Sequence, residues 1–146
     1  MKKAITLLTV LLMSIQIFAQ DTTVVYMDNK KAAQCITTEE QKETKLLLKK
    51  SVYKNYKTLV IQIKGANAAG DGYKRDLEIT GAASTMVSEV KDKPGKFEVI
   101  DATVKKQLLA GKTLKLYLLL NPSNPMVMIP SRRIYLGKFS DEVALR

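Results

Sequence analysis

The segment Thr113–Leu120, TLKLYLLL, constrains the fold of this chain more than any other. Leu114, Leu116, Leu118 and Leu120 stand at alternate positions, which is the period of a β-strand. Tyr117 and Leu119 make the second face largely apolar as well. A strand that is apolar on both faces belongs at the centre of a sheet, covered on its two sides. Asn121-Pro122 then stops it, because proline has no N–H to give to the ladder.

The segments around it read as its companions. In KTLVIQIKG, Leu59, Ile61 and Ile63 point one way and Gln62 and Lys64 the other. GANAAGDG is a loop of turn-forming residues. In YKRDLEIT, Tyr73, Arg75, Leu77 and Ile79 share one face, opposite Lys74, Asp76 and Glu78. MVSEVK and KFEVID flank Asp92-Lys93-Pro94-Gly95 and are expected to form a hairpin. Asp101 is placed to cap a short helix at about 102–110, with Gly111 just past its end. RRIYLGKF is a last strand.

Upstream the pattern is weaker. TKLLLKK has three consecutive leucines, and a strand followed by a turn at SVYKNY is the preferred reading over a basic helix. Residues 21–43 read as a partly flexible N-terminal arm. Within it, TTVVYM is a possible edge strand, and Thr38 with Gln41 a possible capping box.

Seven or eight short strands with one brief helix predict an all-β sandwich. A helix before the strongest strand resembles the E-to-F connection of immunoglobulin-like Greek-key sandwiches, with TLKLYLLL as F and RRIYLGKF as G. The resemblance is one of topology over residues 44–140. The cysteine pair and core tryptophan of antibody domains are absent, and the architecture by itself implies no function.

The N-terminus bears on location. Lys2 and Lys3 precede an apolar stretch from Ala4 to Phe18, and Ala19 is a small residue before Gln20. That order is expected of a cleaved signal peptide at residues 1–20, since a spanning helix needs roughly 20 apolar residues. Cys35 lies too far behind the apolar stretch for acylation, so a soluble periplasmic or secreted bacterial protein is expected, with no span left after cleavage. Residues 44–146 then form one sandwich domain. Without Lys2 and Lys3 the chain keeps 22 basic residues against 14 acidic ones, a net charge of +8. Such an excess favours an envelope protein, an anionic glycan or a lipid head group as partner, while nucleic acid is not expected.

Catalytic motifs fail one by one. The chain has no histidine and one cysteine, which removes the common triads and thiolate zinc sites. Cys35 remains as a lone candidate nucleophile, although a half-buried apolar role is the simpler one. Ser51–Lys54 and Ser88–Lys91 have the spacing of a serine–lysine dyad but lack a helix and companion motifs. Gly111-Lys112-Thr113 imitates the end of a P-loop, yet a strand rather than a helix follows. Asp71, Asp76 and Glu78 with Asn67 could be drawn as a calcium site, but Asp76 and Glu78 alternate with Lys74 and Arg75 and are better suited to cross-strand charge pairing. No metal or cofactor is expected.

One loop has positive content. Met126, Val127, Met128 and Ile129 are consecutive apolar residues between Pro125 and Pro130, followed by Arg132 and Arg133. Two structures fit this loop: an exposed partner-binding tip, or a plug folded over the open end of the sandwich. The expected function is a non-catalytic binding or structural module of the bacterial envelope. The alternatives are a secreted enzyme inhibitor presenting residues 122–131 and, less favoured, an enzyme acting through Cys35.

Overall fold

The computed structural model describes residues 21–36, 45–65 and 72–141, apart from the side chains of 50, 140 and 141. It is a sandwich of two sheets. β1 (Thr22–Met27), β2 (Lys30–Ile36), β4 (Leu59–Lys64) and β7 (Lys96–Val99) make the first, in the order β2-β1-β4-β7. β3 (Lys45–Leu48), β5 (Tyr73–Thr80), β6 (Ser84–Ser88), β8 (Lys115–Pro122) and β9 (Arg132–Asp141) make the second, in the order β3-β9-β8-β5-β6. Antiparallel pairing holds throughout except between β3 and β9, which run parallel along one edge.

β8 is the middle strand of its sheet, as its two apolar faces require. Leu114, Leu116, Leu118 and Leu120 all point into the core, where they meet Leu77, Ile79, Leu136 and Phe139 of the same sheet. Val25, Met27, Leu59, Ile61, Ile63 and Phe97 of the facing sheet complete the interior. Full burial of each such side chain contributes about 1.5–3 kcal/mol. The pairs β4–β7 and β5–β8–β9 match the B–E and C–F–G pairings of immunoglobulin-like sandwiches. α2 (Ala102–Leu109) occupies the E-to-F connection. Asp101 caps it by accepting from the Thr103 N–H at 2.7 Å, and Gly111 follows it with φ +68°. Val104 and Leu108 close one end of the core.

Four local expectations change. TTVVYM is an inner strand rather than an edge, because β2 pairs outside it. Residues 22–36, expected within a partly flexible arm, are thus two strands of the first sheet, and the strand total among the described residues is nine. Asp28 and Asn29, both with positive φ, make the two-residue turn between them. The Asp28 carboxylate accepts from the backbone N–H groups of Lys57 and Thr58, both at 2.9 Å, which pins this turn to the start of β4. SVYKNY contains one helical turn, α1 (Lys50–Tyr53), where a turn was expected. Finally, β6 and β7 are not a regular hairpin. They belong to different sheets and share a single bridge, Glu89 to Phe97, so the Pro94-Gly95 turn carries the chain across the sandwich. The capping box at Thr38 and Gln41, the signal peptide, and Asn67 and Asp71 lie outside the described residues.

Candidate functional site

β8 and β9 are neighbours joined by residues 123–131, so this loop projects from one end of the five-stranded sheet. Its backbone turns on itself. The Asn124 side chain accepts from the Met126 N–H at 3.0 Å. The N–H groups of Val127 and Ile129 donate to the Asn124 and Val127 carbonyls at 3.2 and 2.8 Å. With these bonds made inside the loop, its side chains turn outward. Met126 is 87% exposed and Met128 103%, while Val127 and Ile129 are 43% and 38% exposed. The loop is therefore an exposed tip and not a plug. Exposed apolar residues elsewhere, such as Met86, Ile100 and Leu109, are not consecutive in this way. Scattered apolar side chains are ordinary on a protein surface; these four are consecutive.

The two arginines part company. Arg132 is exposed at the base of the loop. Arg133 lies on the outer face of the sheet, its guanidinium 3.6 Å from the centre of the Tyr117 ring. Its Nε donates to Glu78 at 2.8 Å. Tyr117 in turn packs against Tyr135, with ring centres 5.4 Å apart. Arg133 is thus a fixed cation backed by aromatic rings, next to the loop but not part of its tip. Sequence reading placed both arginines on the loop rim. It missed the tyrosines, because only the β8–β9 register sets Tyr117 opposite Tyr135.

The remaining candidates are absorbed by structure. Cys35 is buried and donates its thiol to the Leu136 carbonyl at 3.3 Å, tying the two sheets together. Burial pushes its pKa up to about 11, so the thiol stays protonated at neutral pH and is a poor nucleophile. Ser88 donates to Asp76 at 2.8 Å, which engages its hydroxyl within the β5–β6 pair. Ser51 is exposed on the single turn of α1. Gly111 ends α2 and leads into β8, which is incompatible with a phosphate loop. Glu78 pairs across the sheet with Arg133 of β9, the cross-strand pairing expected, whereas Asp76 pairs with Lys74 of its own strand. Among the described residues no cluster of acidic or thiol groups is placed to hold a metal, and no helix is long and apolar enough to cross a membrane.

Comparison with known protein families, curated proteins and solved structures finds no match for this chain.

Proposed function

We propose that this protein is a non-catalytic binding module of the bacterial envelope, exported by residues 1–20 and engaging its partner through the 122–131 loop. The observation that carries this reading is the solvent exposure of Met126 and Met128 at the tip of a loop fixed by its own hydrogen bonds. Unpaired apolar side chains gain free energy when a partner removes them from water, at about 25 cal/mol per Å². A loop already turned in its bound shape loses little entropy on binding. Arg132 at the base and the fixed Arg133 beside it add positive charge, which suits an acidic rim on the partner. The burial of Cys35 and the bond from its thiol to the Leu136 carbonyl argue against thiol chemistry as the function.

The test is crosslinking in living cells. A photoreactive amino acid in place of Met128 should give a discrete adduct with one envelope component. The same group at Gln34, exposed on the edge strand of the other sheet, serves as control. Adducts at 128 no stronger than at 34 overturn the proposal.

A further inference from the structure

The backbone of the 122–131 loop bears on the chemistry of its partner. Pro125 and Pro130 have no N–H, and four N–H groups lie between them. Three of these four donate within the loop: Met126 to the Asn124 side chain, Val127 to the Asn124 carbonyl and Ile129 to the Val127 carbonyl. Ser123 at the base donates to the Gly72 carbonyl at 2.9 Å. The tip thus shows solvent its apolar side chains while most of its backbone donors are already engaged. A backbone N–H carried into hydrocarbon without a partner is costly. A protein surface can accept from free N–H groups, so it places no such demand on a loop. Lipid tails accept from none, and there the internal bonds matter most. Charge points the same way. No acidic residue stands between Asp101 and Asp141, whereas seven lysines and arginines do. One of them, Arg132, is exposed at the base of the loop.

We propose that the 122–131 loop inserts into the surface of a lipid bilayer that carries anionic head groups. This rests on the loop being the contact site and names its partner. Met126, Val127, Met128 and Ile129 enter the boundary between head groups and acyl chains, and Arg132 stays at head-group level against phosphate. The carbonyls of the tip keep the water of the head-group layer, so insertion is shallow, about 5–10 Å. One short apolar loop and a basic surface give reversible attachment, since membrane affinity grows with the apolar area buried and with attraction to anionic lipid.

The chain has no tryptophan, so Met128→Trp puts a single fluorescent reporter at the tip. The exported protein carrying it is titrated with vesicles of phosphatidylcholine, and with an equimolar mixture of phosphatidylcholine and phosphatidylglycerol. Emission should shift to the blue on the mixed vesicles and be quenched by lipids brominated near the head group. Binding to phosphatidylcholine alone should be roughly tenfold weaker, and added salt should weaken binding to the mixture. Gln34→Trp, on the edge strand of the other sheet, should show no shift. Without a reporter, Met126→Ser with Met128→Ser should lower cosedimentation with the mixed vesicles roughly tenfold while the melting temperature holds. No blue shift at 128, an equal shift at 34, or cosedimentation of the serine variant equal to the parent overturns the lipid assignment. Equal binding to both vesicle types overturns the role given to Arg132. If the reporter stays unshifted while the photoreactive group at 128 still captures an envelope protein, the lipid assignment fails and the binding loop stands. If neither signal appears, both fail.

Discussion

Leu116 and Leu118 are fully buried on the middle strand of the larger sheet, while Lys115 between the core positions is exposed. Truncating either leucine to alanine removes its transfer energy and leaves a cavity, so each should cost about 2–5 kcal/mol by urea unfolding. Lys115→Ala should change stability by no more than about 0.5 kcal/mol. Equal losses at 115 and 116 would mean the strand lacks this register. Single titratable groups also leave a signature. Burial raises Cys35 from 9.0 to about 11 and Tyr56 from 10.0 to about 12. The folded state favours their neutral forms, so their contribution is complete below about pH 9 and is lost as pH rises toward 12. Backbone N–H groups hold Asp28 and Asp101 below their ordinary 3.8, so their contribution is present above that value and fades as pH falls beneath it. The melting temperature should therefore be flat near neutrality and fall at both extremes. A decline beginning between pH 6 and 8 would contradict these assignments.

At the scale of elements, β1 is the piece whose role changed most between sequence and structure. It lies between β2 and β4 and buries Val25 and Met27 in the core. A truncation beginning at residue 44 removes both side chains and one neighbour of β4. It should lose cooperative urea unfolding, since stability is only about 5–15 kcal/mol in total. A sharp transition in that truncation would restore the arm reading. The sequence concealed this because β2, KKAAQCI, is an edge strand that buries only Ala33 and Cys35 and so looks like a polar tail. The Asp28-Asn29 turn was the available signal. By contrast β4, β5 and β8 alternate cleanly, and α2 has its cap and its terminal glycine, so their type and place were legible from residues alone. The β6–β7 connection was not, since local pattern says where strands turn and not which sheet they join.

For the whole molecule, the two sheets and α2 pack around one hydrophobic core. The end between β8 and β9 presents the apolar loop. The loop was legible in the sequence as a composition, four apolar residues between prolines, but its exposure was not. Apolar residues are usually buried, so composition alone does not reveal that these form a turn bonded to itself with its side chains in solvent. The most direct measurement replaces Met126, Val127 and Met128 with serine and records thermal unfolding and capture of the crosslinked envelope component side by side. Because these side chains are exposed, stability should move by no more than about 0.5 kcal/mol. Capture should fall at least tenfold, since apolar anchors carry most of a contact's energy. A loss of several kcal/mol in stability, or capture equal to the parent protein, would contradict the account.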